Sequence, residues 1–249
     1  MKISVITVCL NSAATIRDTI ESVLAQDHPD IEHIIVDGAS RDATMDIVRS
    51  YGSRIAKVVS EPDRGMYDSA NKGLRLATGD VVGLLNSDDF YASNDVLSTM
   101  AREFEEHGVD VVHGDLDFID PDDTTRITRR FRSREFEPGD FRRGWHPAHP
   151  TFYVCRELLL KIGGFDERYR IASDIDIMMR VLEVEHARSV HIPRVLIKMR
   201  EGGLSNGSFR RIWRANVECY QSMHRAGLPV PWWFVLRKPL AKTRQLMPF

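Results

Sequence analysis

Short β-branched runs alternate with amphipathic stretches along the first part of the chain. Ile3 to Val8 is apolar on nearly every position, which suits a strand buried on both faces. Asn11-Ser12 then supplies cap chemistry, and Ile16, Ile20, Val23 and Leu24 fall on one helical stripe that Pro29 ends. His33 to Val36 is the next apolar run, closed by Asp37-Gly38-Ala39-Ser40, and Arg41 to Tyr51 reads as a second helix. A third strand, Lys57 to Ser60, leads into Glu61-Pro62-Asp63-Arg64-Gly65. Ala70, Leu74 and Ala77 mark a third helix stopped by Thr78-Gly79-Asp80, and Val81 to Leu85 is a fourth strand running into Asn86-Ser87-Asp88-Asp89. Strand and helix alternate four times, the pattern of a parallel sheet covered on both faces.

The pattern continues through a helix at Val96 to Glu106 and a strand at Val109 to His113. Thr125 to Arg143 breaks it with seven arginines and few aliphatics, and reads as short antiparallel strands or a loop. Order returns at Thr151 to Leu160 and at Ser173 to Glu185, where Ile175, Met178, Met179 and Leu182 share a helical face. Ser173 and Asp176 have the spacing of a capping box. Beyond Glu201-Gly202-Gly203-Leu204-Ser205, residues 207–249 carry eight arginines and lysines against one acid, Glu218, together with Trp213, Trp232, Trp233 and Phe234.

Composition narrows the class. The 249 residues are 43% hydrophobic, with 34 basic and 36 acidic side chains, enough for a sizeable core and against disorder. Near-balanced charge argues against a general nucleic-acid binder. Cys9, Cys155 and Cys219 lie far apart, without zinc spacing, and point to a reducing compartment. No apolar run approaches the roughly 18–20 residues of a spanning helix, and Lys2 to Leu10 lacks the cleavage site of a signal peptide. The expectation is a cytoplasmic protein.

Candidate chemistry gathers where strands end. Asp37 follows the second strand, Asp63 the third, and Asp88-Asp89 the fourth. Ligands of doubly wound sheets bind beyond the carboxyl ends of the strands, and neighbouring acids there call for a cation or a donor-rich ligand. Hard oxygen ligands favour Mg²⁺ or Mn²⁺, which take their remaining partners from substrate phosphates and water. A diphosphate substrate is therefore expected, although neither GxxxxGK[ST] nor GxGxxG is present.

Four segments in this order resemble the family 2 glycosyltransferases of the GT-A fold, of the bacterial O-antigen, capsule and exopolysaccharide type. They are Ile3 to Asn11, Val36 to Thr44, Asp63-Arg64-Gly65 with Asp68 to Gly73, and Leu85 to Asp89, within a likeness over residues 1–205. The resemblance implies a Rossmann-like, mostly parallel α/β sheet with helices on both faces and a helical C-terminal tail. It implies a nucleotide-binding half over 1–115, an acceptor half over 116–205, and a basic aromatic tail over 206–249. Thr7, Val8, Asn11, Asp37, Asp63 and Asn71 would face a nucleotide-sugar, with UDP the usual nucleotide. Ser87-Asp88-Asp89 would be the DxD-type motif, Asp89 holding Mn²⁺ or Mg²⁺ and Asp88 facing ribose or sugar. Asp174 matches the catalytic base, with Ser173 in place of the family's Glu. Ser12 likewise stands where the family has an acid.

The implied reaction is an inverting transfer to a saccharide acceptor, polyprenyl-diphosphate-linked, in cell-surface polysaccharide synthesis. The alternative is a catalytically inactive nucleotide-sugar-binding subunit of an assembly complex. In the Trp-His-Pro-Ala-His-Pro segment, His149 is expected near the diphosphate or acceptor. Arg200 and Gly202-Gly203 could form a lid. The tail combines cationic and interfacial aromatic residues suited to an anionic lipid surface, which would hold the enzyme peripherally on the inner face of the membrane.

Overall fold

The structure, a computed structural model, describes residues 1–202, 209–231 and 234. β1 (Ile3–Cys9), α1 (Ile16–Leu24), β2 (Ile31–Asp37), α2 (Thr44–Ser50), β3 (Lys57–Ser60), α3 (Met66–Leu76) and β4 (Val81–Leu84) follow the alternation read from the sequence. Then come β5 (Asp89–Tyr91), α4 (Val96–His107), β6 (Val111–Ile119), β7 (Ile127–Phe131), α5 (Asp140–Arg143), β8 (Tyr153–Cys155) and α6 (Arg156–Lys161). α7 (Ser173–Met179), β9 (Ser189–Arg200) and α8 (Phe209–Arg225) complete the described elements.

One sheet runs in the order β3-β2-β1-β4-β8-β6-β9-β5, with β7 added alongside β6. β3, β2, β1 and β4 are mutually parallel, as are β6 and β9. β8 runs antiparallel to both β4 and β6 and joins the two parallel sections. The long ladders are parallel and the antiparallel ones short, which makes the sheet mostly parallel.

Both faces are covered, which is why the central strands are apolar on successive positions rather than alternating. Ile6, Val8, Ile34 and Val36 share one core cluster with Leu74 of α3 and with Ile177 and Met178 of α7, which Cys219 and Met223 of α8 join from the α7 side. On the other face Ile35 meets Ile16 and Ile20 of α1 and Val48 of α2, while Ile3, Val5 and Val81 meet Leu97, Met100 and Phe104 of α4. At Gly83 of β4 the Tyr153 ring occupies the space a Cβ would need, so the antiparallel β8 packs flat at the joint.

Three expectations change. Asn11-Ser12 do not cap α1: its N-cap is Thr15, without a side-chain cap bond, and the Asn11 oxygen takes the Arg41 N–H instead. The strand expected at Val109 to His113 runs on to Ile119, because the acids on its polar positions are neutralised locally. Asp115 accepts from His191 Nε2 at 2.9 Å and from the Ser133 N–H at 2.9 Å, and Arg132 pairs with Asp117 at 3.0 Å. The Ser173–Asp176 capping box does not form: Ala172 is the N-cap of α7, and the buried Ser173 hydroxyl has no partner. Asp176 is drawn instead to Arg180 at 2.7 Å and Ser222 at 2.6 Å, stronger and better buried donors than a helix-end N–H. The arginine-rich middle does supply an antiparallel strand, β7.

The described part of the 206–249 tail is α8, residues 226–231 and Phe234; α8 packs on α7, and Phe234, expected among the interfacial aromatics, is buried in the core instead. Gly203, Trp232, Trp233, Arg237, Lys238, Lys242 and Arg244 lie outside the described residues. No helix among the described residues is long and apolar enough to cross a membrane.

Candidate active site

The carboxyl ends of β1, β2, β3 and β4 open on one rim. Its floor is set by the loop after β4. Asp89 begins β5 opposite Met199 of β9, so its carboxylate lies where β9 also ends. Thr19 of α1 donates to the Asp89 carbonyl at 2.8 Å, Arg200 Nη1 donates to the Asp88 carbonyl at 2.8 Å, and the Ser87 and Ser12 hydroxyls meet at 2.8 Å. Arg200 also pairs with Asp18 of α1 and lies over the Phe90 ring at 5.3 Å. The loop is thus held from three sides, and Ser12, which stands where the family has an acid, hydrogen-bonds to Ser87 of the loop.

Asp89 is fully buried. Its Oδ2 accepts from the Asn86 amide at 3.3 Å, and its Oδ1 has no hydrogen-bond partner. Burial pushes this carboxyl well above the usual carboxylate range; neighbouring Asp88 adds to the rise, and Asn86 and Arg200 oppose it. Asp88 is pushed up as well, by burial, against its own backbone hydrogen bond and the nearby Arg200 guanidinium. A buried carboxylate oxygen left unpaired is costly unless a cation completes it. Among the described residues no group of three or more acids, histidines or cysteines is arranged to hold a metal. A cation at Asp89 would therefore draw most of its ligands from phosphate and water, as Mg²⁺ and Mn²⁺ do.

The other rim acids are occupied by the protein itself. Asp37 accepts from the Ser40 N–H at 3.0 Å, the Ser60 hydroxyl at 2.7 Å, the Ser40 hydroxyl and the Cys9 thiol. Asp63 accepts from the Ser69 hydroxyl and the Gly65 N–H and abuts Gly38, so the loops after β2 and β3 touch. Asn11, with φ of 51°, takes the Arg41 N–H on its side-chain oxygen and so ties the end of β1 to the loop after β2. The acids therefore do not form one shared cation nest. Asp37 and Asp63 shape the loops beside the rim, because each turn supplies N–H and hydroxyl donors first.

Thr7 and Val8 are buried within β1. The Thr7 hydroxyl bonds His33 on β2 at 3.0 Å, so its side chain serves the sheet. Asn71, on α3, clasps the loop after α6: its oxygen accepts the Phe165 N–H at 2.8 Å, and its NH₂ donates to the Phe165 carbonyl and to Glu167. That loop leads directly to α7.

Asp174 lies in the first turn of α7, 18% exposed. Its Oδ1 accepts the Ile175 N–H at 2.8 Å and the Tyr67 hydroxyl at 3.3 Å, and its Oδ2 lies 3.5 Å from His149 Nδ1. His149 opens a short 3₁₀ turn, His149–Thr151, whose Thr151 hydroxyl grips the Gly114 backbone on β6. His149 and Asp174 line one cavity with Ile6 of β1 and Leu84 of β4. An open rim with a buried, underpaired carboxylate on one side and a partly exposed carboxylate–histidine pair on the other suits a reaction separating a charged leaving group from a nucleophile that must lose a proton.

A family model for "Glycosyl transferase family 2" matches residues 4–161, more than half of the chain. The chain belongs to this family. This glycosyltransferase is 30% identical over 216 residues to the PGL/p-HBAD biosynthesis glycosyltransferase of Mycobacterium tuberculosis, covering 82% of this chain and 78% of the relative. It is 28% identical to the putative glycosyltransferase EpsE of Bacillus subtilis, over 97% of this chain and 88% of EpsE. Among solved structures, S. aureus TarS 1–349 in complex with UDP superposes with a TM-score of 0.68 at 22% identity, covering 92% of this chain and 67% of that one. Against a further TarS crystal structure this chain spans 39% of the other's length, with a TM-score of 0.64. The mannosyltransferase PcManGT of Pyrobaculum calidifontis, in complex with GDP-Man and Mn²⁺, superposes with a TM-score of 0.65 at 22% identity, covering 98% of this chain and 69% of that one. The last three share the GT-A fold with this enzyme.

Two side chains at the glycosyltransferase's rim were not singled out by the sequence. Tyr67 lies one residue before Asp68 in the third motif and reads there as a core aromatic; its hydroxyl, held protonated by burial and by Asp174, reaches that carboxylate. Asp18 reads as an ordinary first-turn acid of α1, and only the fold brings Arg200 to it.

Proposed function

We propose that the enzyme transfers the sugar of a nucleoside-diphosphate sugar, a UDP-sugar being the first choice, to a saccharide hydroxyl in a single inverting displacement that releases the nucleoside diphosphate. The observation that carries this reading is the wholly buried Asp89 carboxylate with an unpartnered oxygen at the rim of a family 2 fold. Asp89 would hold Mn²⁺ or Mg²⁺, and Asp88 would face the ribose or sugar. When bound, the ion supplies positive charge to the departing diphosphate. Thr7, Val8, Asn11, Asp37 and Asp63 would frame the nucleotide through their loops and backbone, and Asn71 would act by fixing the 163–167 loop.

Asp174 would take the proton of the attacking acceptor hydroxyl as that oxygen bonds the anomeric carbon and the sugar–phosphate bond breaks. Attack from the face opposite the diphosphate inverts the anomeric centre. His149, 3.5 Å from Asp174, would orient the base and border the acceptor. We assign residues 1–205 to the catalytic unit, donor half 1–115 and acceptor half 116–205, with 206–249 as the tail.

A thermal-shift panel tests the donor and the ion together. UDP-, GDP-, ADP- and dTDP-sugars, each with and without Mn²⁺, are expected to give one nucleotide class whose stabilisation depends on the ion. At a hundred times the dissociation constant, binding adds about 2.7 kcal/mol to folding stability. Indifference to all four with the ion present would sink the reading.

The acceptor is proposed to be polyprenyl-diphosphate-linked, in cell-surface polysaccharide synthesis, with the tail on the cytoplasmic leaflet. Support comes from the cationic exposed positions of α8, Arg210 and Arg214, beside a 45%-exposed Trp213. Arg210→Glu with Trp213→Ala is expected to lower co-sedimentation with anionic-lipid vesicles at least tenfold and leave neutral vesicles unaffected. Equal sedimentation of wild type and variant would remove the membrane from the proposal.

A further inference from the structure

Glu218 lies on α8, yet its side chain is only 7% exposed and points back into the body of the enzyme. Its Oε2 accepts three consecutive backbone N–H groups, those of Arg170 at 3.1 Å, Ile171 at 2.8 Å and Ala172 at 3.1 Å. Its Oε1 accepts from Arg214 Nε at 2.8 Å, so both oxygens are engaged. Successive N–H groups converging on one anion form a nest, which holds the backbone in one conformation. Bonds to an ionised acceptor are also about twice as strong as neutral ones.

The segment held in this way is the one that delivers Asp174. Ala172 is the N-cap of α7, and its carbonyl accepts the Asp176 N–H at 2.9 Å. The Ile171 peptide is gripped from both ends. Its N–H goes to Glu218, and its carbonyl accepts the Tyr67 hydroxyl at 2.8 Å, the same hydroxyl that reaches Asp174 Oδ1. Arg170 adds a bond from its guanidinium to the Arg64 carbonyl at 2.8 Å.

Further along α8, Ser222 donates to Asp176 at 2.6 Å and Arg225 to the Tyr169 hydroxyl at 3.2 Å. Cys219 and Met223 share the core with Ile177, Met178 and Met179 of α7. The strap 169–172 and the first turn of α7 are therefore clamped between α3 and α8.

We propose that Glu218 is a positioning residue for transfer, setting the place of the Asp174 carboxylate through the 170–172 backbone. The proposal rests on the reading of Asp174 as the base. A general base works only within hydrogen-bond reach of the proton it takes, and a displacement of about 1 Å can cost about 10²-fold in rate. Asp89 and its loop are held by Thr19, Arg200 and Ser12, none of which touches Glu218. Donor binding and base placement are thus carried by separate supports, and loss of Glu218 should strike turnover while sparing donor affinity.

The test uses the full chain and the nucleotide sugar selected by the thermal-shift panel. Its hydrolysis, with water as acceptor, is followed as free nucleotide. Glu218→Ala is expected to lower kcat about 10²-fold. Glu218→Gln keeps an accepting oxygen without the charge and is expected to fall about 5- to 10-fold, one step of about 1–1.4 kcal/mol. The donor KM and the Kd of the nucleotide with Mn²⁺ should stay within about twofold of wild type. Because Glu218 acts only through Asp174, adding Glu218→Ala to Asp174→Asn should lower the rate no further.

An unchanged kcat in both Glu218 variants overturns the proposal. So does a parallel loss of donor affinity, or an equal further loss on the Asp174→Asn background, since each marks general loosening. Should Glu218→Ala fail to fold, Glu218→Gln carries the same cycle. Full activity in Asp174→Asn alone overturns the base reading itself, an outcome separate from any result at Glu218.

Discussion

Asp89→Asn is expected to abolish ion-dependent nucleotide binding and to cut transfer by about 10²–10⁴-fold, the several kcal/mol that a divalent ion contributes to a developing phosphate charge. The same substitution should raise the stability of the ion-free protein. The wild-type carboxylate is buried with one oxygen unpaired, and its carboxyl is held well above the ordinary range. The folded chain therefore keeps a proton that the unfolded chain has lost. Stability falls as pH rises from about 4 towards the folded value.

The amide carries no charge to desolvate and escapes that fall. A gain of about 1 kcal/mol would lift the melting temperature by about 2–4 °C for a chain of this size. Melting at pH 7 and titration with Mn²⁺ plus nucleotide read both effects. A variant that melts lower than wild type without the ion, or that still binds nucleotide in an ion-dependent way, would contradict the assignment.

Asp174→Asn should lower kcat by about 10²–10⁴-fold with the donor KM unchanged, the range usual for removal of a general base. Asparagine can still accept the Ile175 N–H and the Tyr67 hydroxyl on its oxygen, so the first turn of α7 keeps its geometry. What disappears is the capacity to take a proton. In the wild type, NMR of the product should show an anomeric configuration opposite to that of the donor. Retention, or more than a tenth of the wild-type rate in the variant, would mean that another group or another path does the chemistry.

Much of residues 1–115 was legible because the determinants there are local. β1, β2, β3 and β4 are short apolar runs ended by turn residues, and α1 and α3 carry single apolar stripes, so strand, helix and order follow from neighbours in the chain. The position of Asp89 at a strand end was legible for the same reason. The length of β6 was not, since Asp115 and Asp117 look like loop residues until His191 and Arg132 are brought beside them from other elements. The capping box at Ser173 failed similarly: local spacing proposed a cap for Asp176, and Arg180 with Ser222 outcompeted it.

The rim acids show the same division. A list of aspartates at strand ends says nothing about which are already satisfied. Asp37 and Asp63 are saturated by serine hydroxyls and backbone donors of nearby turns, whereas Asp89 alone among these three retains a buried oxygen without a partner. A tail read as a basic appendage likewise reveals its buried acid, Glu218, only when α8 is laid against α7.

By itself the sequence determined the α/β alternation, the family, and which acids stand at the ends of the parallel strands, because hydrophobic period and turn chemistry act over a few residues. Only the tertiary structure decided which of those acids is left unpaired, that Tyr67 and His149 meet at Asp174, and that α8 holds the strap before it. Those outcomes depend on competition among donors far apart in the chain, and burial, which settles that competition, exists only once the sheet and its helices have closed together.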